Sequence, residues 1–257
     1  MIAAIVQARM GSTRLPGKVL MELAGKPVLW HIVTRLQHAS LLDRICVATT
    51  CEPEDDEIEV VCLGWGIPVC RGSRDDVLSR YYTCAKQIGM QEGRANYIAR
   101  ITADCPLVDP AIVDHIAEKM VQGKFDYGSN VDPPSFPDGL DVEIFSFDAL
   151  ETVAREACLP SDREHVTPFI RKSKAFLKYN YVRTLDISGL RLTLDTAEDF
   201  RMITLIYEAL YREGEIISVS DVLEFLHARP NIPAINGRYK RNEGYDKSLS
   251  QDRLNLR

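Results

Sequence analysis

The 257-residue sequence has no apolar run approaching the roughly 20 residues that cross a bilayer as a helix, which argues against membrane insertion. Its first apolar run is cut by Arg9, so a secretory leader is not expected and the protein is predicted to be cytoplasmic. Positive charge is not in surplus: 31 Lys and Arg face 37 Asp and Glu, a net charge of −6, whereas a nucleic-acid surface needs a basic face. No C-x-x-C pair occurs. The seven cysteines read as reduced core thiols, and the spacing of Cys46 and Cys51 suits neither a zinc ribbon nor a finger. Also missing are the Gly-Lys-Ser/Thr ending of a P-loop and the Gly-x-Gly-x-x-Gly of a dinucleotide fold. There is no Asp-x-Asp metal triplet of the kind glycosyltransferases use.

What the chain does have is hydrophobic residue, 46% of the total, enough for the core of one large α/β domain. β-type runs at 2–6, 44–50, 67–71 and 97–102 alternate with helical patterns near 27–39, 54–63, 75–88 and 110–122. That alternation predicts parallel strands joined by crossover helices. Ligands of such sheets bind beyond the carboxyl ends of the strands, so the loops after Val6, Arg71 and Thr102 should share one edge. Pro133, Pro134 and Pro137 mark 128–137 as a loop reaching over it. Strands are then expected at 140–145, 175–182 and 190–194, and helices at 147–157, 162–173, 197–212 and 219–227. Ser218 and Asp221 stand at capping-box spacing before the last. Residues 1–230 read as a single domain. Residues 231–257, polar and carrying Lys240, Arg241, Lys247 and Arg253, read as a tail that is either flexible or docked on a partner subunit.

Against the acidic trend, Gln7–Lys18 holds Arg9, Arg14 and Lys18 and no acid. Gly11 and Gly17 allow backbone N–H groups to converge, the arginines add forked donors, and Lys18 adds a compact charge. This set suits phosphate, and a triphosphate better than a monophosphate; a solvated surface loop is the alternative. Asp104 and Asp195 each follow an expected strand. Isolated carboxylates of this kind suit Mg²⁺, which takes one or two of them together with phosphate oxygens and water. Each, taken alone, also suits an N-cap or a turn. Asp199 reads as a first-turn residue favoured by the helix dipole.

The string Ala8-Arg9-x-x-Ser12-x-Arg14-Leu15-Pro16-Gly17-Lys18-x-Leu20 resembles the signature of cytidylyltransferases that activate acidic eight- and nine-carbon sugars. The resemblance is closest to the spore-coat polysaccharide SpsF-like branch. It continues at Arg71–Tyr81, Thr102–Leu107, Asp138–Glu143, Arg163–Thr167 and Leu194–Asp199. It implies a mostly parallel, Rossmann-like nucleotide-diphospho-sugar transferase (GT-A-like) sheet flanked by helices, with a smaller α+β portion at 136–190 for sugar binding and dimerisation. The implied activity is Mg²⁺-dependent transfer of CMP from CTP to an acidic sugar, releasing pyrophosphate, by a homodimer in surface polysaccharide biosynthesis.

By the same resemblance, Ala8, Arg9, Gly11, Ser12, Arg14, Lys18, Gly72, Ser73, Arg74, Asp75, Thr102 and Asp104 bind the nucleotide. Arg9, Lys18, Asp104 and Asp195 are catalytic, with Asp104 and Asp195 holding the metal. Asp138, Asp141, Glu143, Glu164 and His165 contact the sugar. So many carboxylates repel an acidic sugar unless Arg100, Arg163 or Arg191 offsets them. Residues 73–76 also read as a helix start with Ser73 as N-cap, and His165 also suits a structural role. Two other readings stay open: a sugar 1-phosphate nucleotidyltransferase using GTP or CTP, and a non-catalytic nucleotide-binding subunit of a glycan-assembly complex.

Overall fold

The computed structural model describes residues 1–94 and 96–255, with side chains through Asp252; residues 256 and 257 of the expected tail lie outside the described residues. Strand β1 (Ile2–Gln7) sends Ile2, Ala4 and Val6 into one buried cluster and Ala3 and Ile5 into another. A central strand between two helix layers requires such two-sided burial. A short hairpin, β2 (Glu22–Leu23) and β3 (Lys26–Pro27), precedes α1 (Val28–Leu36). Then come β4 (Arg44–Thr50), α2 (Asp56–Gly64), β5 (Val69–Gly72), α3 (Val77–Gln87) and β6 (Tyr97–Thr102). These strands run parallel in the order β5-β4-β1-β6. The chain builds outward on one side of β1 and returns on the other, so the crevice beyond the ends of β1 and β6 is a topological switch point, the usual ligand position.

The second half supplies α4 (Pro110–Gly123), β7 (Tyr127–Ser129), β8 (Glu143–Ser146), α5 (Phe147–Glu156), α6 (Pro160–His165), α7 (Pro168–Lys172) and β9 (Lys178–Asn180). Helices α8 (Ala197–Leu210), α9 (Val219–His227) and α10 (Glu243–Asn255) follow. β8 enters antiparallel beside β6, completing a seven-stranded sheet β5-β4-β1-β6-β8-β7-β9. The expected mostly parallel, helix-flanked architecture is the one observed.

Several expectations change in detail. Residues 190–194 are extended but do not form a strand. Their amides bond to loops instead, Leu192 to the Asp138 carbonyl at 2.6 Å and Leu194 to the Asp104 carbonyl at 2.7 Å. The helix expected at 162–173 is split into α6 and α7, because Val166 takes φ 70° and Pro168 lacks the N–H a continuous helix would use. Asp76, not Ser73, caps α3, accepting from the Ser79 amide at 2.9 Å. Within the expected tail, Glu243–Asn255 forms α10, which folds back on its own chain, where Asp252 accepts from the Ser161 amide at 3.1 Å. Cys51 and Cys158 are exposed rather than core residues, whereas Cys46, Cys70 and Cys84 meet in the core with Sγ contacts of 3.4 and 3.5 Å from Cys46.

Candidate active site

The cationic loop leaves β1 at the switch point and is braced by its own chain. The amides of Ser12 and Gly17 both donate to the Met10 carbonyl, at 2.8 and 3.0 Å, and the Met10 amide donates to Asp55 at 2.6 Å. Much of the backbone expected to converge on an anion is therefore already engaged, and the charged side chains are the stronger feature. Gly17, at φ 70°, takes the left-handed turn that opens the short helix Lys18–Leu20 and aims Lys18 inward.

Lys18 lies between two carboxylates. Its Nζ donates to Asp104 Oδ2 at 3.0 Å and to Asp195 Oδ1 at 2.7 Å, and the residue is only 8% exposed. The bonds of Leu194 and of Thr193 Oγ1 (3.2 Å) to the Asp104 carbonyl bring these distant aspartates together. Asp195 stands just before the α8 capping box, its amide held by Asp199 at 3.0 Å. Burial works against the Lys18 charge, but Asp104 and Asp195 outweigh it and raise the ammonium above its ordinary value. Burial likewise opposes the Asp104 charge, yet Lys18 and hydrogen bonds hold that carboxyl well below the usual range. Two hard oxygen donors sharing one cation fit the chemistry of a Mg²⁺ site. Arg14 reaches Asp195 at 2.8 Å and Glu243 of α10 at 3.0 Å.

These groups line a cavity of ≈ 600 Å³ whose far wall holds Asp138, Asp141, Glu143, Glu164 and His165, all five of the residues assigned to the sugar. Gly139, at φ 102°, sets the bend of this wall: a Cβ there would come within 2.4 Å of the Leu192 and Thr193 backbone. The charge conflict is met by arginines. Arg191 binds Asp138 at 2.8 Å, Arg100 binds Glu143 at 2.8 Å, and Arg241 binds Asp141. Arg163 does not share in this; it pairs with Asp76 at 2.6 Å, pinning α6 to the start of α3. Burial pushes the Asp141 carboxyl up to about 7 despite Arg241, and it also raises Asp138. Burial opposes the Glu143 charge too, but Arg100 and Arg171 bring that carboxyl below its ordinary value. Burial lowers His165, whose Nε2 lies 3.0 Å from Ser248 Oγ.

Arg9, Ser12, Arg14, Lys18, Thr102, Asp104 and Asp195 also line the cavity, while Ala8, Gly11, Gly72, Ser73, Arg74 and Asp75 stand outside its lining. Gly72 packs against the Arg80 side chain, and Arg74 approaches Gly11. Sequence reasoning did not assign Arg171, Lys240, Arg241, Glu243, Lys247 or Ser248 to the site, although all of them line it. The basic residues at 240, 241 and 247 were the available signal.

Comparisons with known proteins agree with this fold. The chain is 32% identical to the spore coat polysaccharide biosynthesis protein SpsF of Bacillus subtilis, over 90% of this chain and 95% of that protein. It superposes on a cytidylyltransferase from Leptospira borgpetersenii with a TM-score of 0.83 and 32% identity, covering 90% of this chain and 95% of the other. A CMP:2-keto-3-deoxy-manno-octonic acid synthetase solved with CTP shares the fold at a TM-score of 0.62 and 15% identity, over 81% and 99% of the two chains. A family model for cytidylyltransferases matches residues 3–218, and the chain belongs to that family.

Proposed function

We propose that this protein transfers CMP from CTP to an acidic sugar of the sialic- or ulosonic-acid type, releasing pyrophosphate, for surface polysaccharide synthesis. The observation that carries the reading is the Lys18 ammonium held between Asp104 and Asp195 at the switch point. Asp104 and Asp195 would hold Mg²⁺, which when bound supplies positive charge to the triphosphate. Lys18 and Arg14 then exchange carboxylate partners for phosphate oxygens, and Arg9, with no ion-pair partner among the described residues, adds a further fork. The cavity holds the sugar hydroxyl in line with the α-phosphorus, the new O–P bond forms, and the bond to the pyrophosphate oxygen breaks. Asp141 takes the hydroxyl proton: although paired with Arg241, its carboxyl is pushed up to about 7, whereas burial is outweighed at Glu143, which Arg100 and Tyr127 hold below its ordinary value.

The reading includes a cytoplasmic homodimer. Among the described residues no helix is long and apolar enough to cross a membrane, and Leu177, Val182 and Leu185 are exposed on the portion assigned to dimerisation. The test is pyrophosphate release from each of the four nucleoside triphosphates with Mg²⁺ and acidic sugars. CTP with an acidic sugar should turn over, and Asp104→Ala should abolish it. Turnover of GTP or CTP with a sugar 1-phosphate would favour the first alternative, and no turnover at all the non-catalytic one.

A further inference from the structure

The family match ends at Ser218, yet part of the cavity wall comes from beyond it, including Lys240, Arg241, Glu243 and Lys247. This segment is tied down along its length. Buried Asn236 donates to the Arg191 carbonyl at 3.1 Å and to Asp199 at 2.9 Å. Ser248 donates to Glu164 at 2.6 Å, and Asp252 accepts from the buried Ser161 amide at 3.1 Å. Helix α10 therefore forms a fixed wall across α6.

Its orientation divides the cavity. Glu243 and Lys247, four residues apart, lie on one face of α10. Glu243 touches Arg14 at 3.0 Å, the polyphosphate end. Lys247 lies about 6 Å further along the axis, level with Ser248 and hence with Glu164 and His165, the sugar end. Three acids of that end are paired with arginines, Asp138 with Arg191, Asp141 with Arg241 and Glu143 with Arg100, while Glu164 accepts a hydrogen bond from Ser248. The Lys247 ammonium has no ion-pair or hydrogen-bond partner among the described residues. Of the unpaired cations at this end, Arg171 lies over the Tyr245 ring and acts on Glu143, so Lys247 is the one left to attract an anionic ligand.

We propose that Lys247 binds the carboxylate of the acceptor sugar and so selects acidic over neutral sugars, an assignment that rests on the cytidylyltransferase reading of the same cavity. The test compares full-length wild type, Lys247→Glu and Lys247→Arg by initial rates of pyrophosphate release. The acceptors are 3-deoxy-manno-octulosonate and N-acetylneuraminate. Lys247 is exposed, so its replacement spares the fold. In Lys247→Glu the KM for the acidic acceptor should rise about tenfold to a hundredfold, with Lys247→Arg close to wild type and the KM for CTP changed by less than about twofold. An unchanged acceptor KM, or a rise confined to CTP, overturns the proposal. A wild-type protein that turns over neither sugar refutes the proposed CMP transfer to acceptors of this type. In that event amide hydrogen exchange across 243–252 decides the assignment separately. Slowing by either sugar in wild type but not in Lys247→Glu sustains it, and no slowing overturns it.

Discussion

Replacing Lys18 with methionine removes the charge between Asp104 and Asp195 while keeping most of the side chain's volume. At 3.0 and 2.7 Å, each pair gains roughly 6 kcal/mol of gross Coulomb attraction at an effective dielectric of about 20. Desolvation offsets much of this, and breaking a buried pair costs about 3–5 kcal/mol. The carboxylates are 25% and 22% exposed, which places the cost near the lower end, about 3 kcal/mol. For a chain of this size that lowers Tm by about 6–12 °C.

The contribution of Asp104 to the pH dependence should also invert, steepening the fall toward neutral pH. In wild type the depressed Asp104 carboxyl contributes stability that is present above its ordinary value of 3.8 and lost as the pH falls through the depressed one. Without Lys18, burial is the largest remaining influence, the carboxyl rises, and the variant loses stability as the pH climbs from about 4 toward neutral. Mg²⁺ without nucleotide should raise the variant's Tm and leave that of wild type unchanged, because no ammonium has to be displaced. Calorimetry across pH, with and without Mg²⁺, reads all of this. A Lys18→Met protein with wild-type Tm at neutral pH and no response to Mg²⁺ would refute the reasoning.

Other predictions concern the surrounding groups. Arg191→Met strips the cation shared by Asp138, Asp195 and Asp199 and should cost about 3–5 kcal/mol in urea unfolding, part of which Asp199→Asn should restore. Burial first, then repulsion from Asp138 and Glu143, raises Asp141 to about 7 against Arg241. Wild-type stability should therefore fall as the pH rises from about 4 to 7, and Asp141→Asn should flatten that slope in calorimetry. If Asp141 is the base, the same variant should also remove the rise in kcat near pH 7. Leu185, 68% exposed, lies in the portion assigned to dimerisation; Leu185→Asp should shift the sedimentation coefficient from dimer to monomer.

The parallel half of the sheet was legible because its signals are apolar and periodic. Ile112, Val113, Ile116 and Met120 mark the buried face of α4, and Asp109 with Pro110 marks its start. The site's aspartates were legible for a related reason, since loops after strands must lie at one edge. What was not legible depends on polar contacts with distant loops. Leu190, Leu192 and Leu194 alternate like a strand, but the backbone around them bonds to the turns at Asp104 and Asp138. Helix α10 attaches through Ser248 and Asp252 rather than through an apolar stripe, so composition alone suggests a tail that is either flexible or docked on a partner subunit. Arg163 could be recognised as a cation, but its choice of Asp76 depends on how α6 packs against α3.

The central claim is that Lys18, Asp104 and Asp195 gather around one metal-bound polyphosphate. Anomalous diffraction from crystals grown with CTP and Mn²⁺ tests it most directly. The account predicts a metal peak between Asp104 and Asp195, with Lys18 Nζ turned onto a phosphate oxygen. A metal bound elsewhere, or Lys18 still held by both carboxylates beside a bound nucleotide, would contradict it.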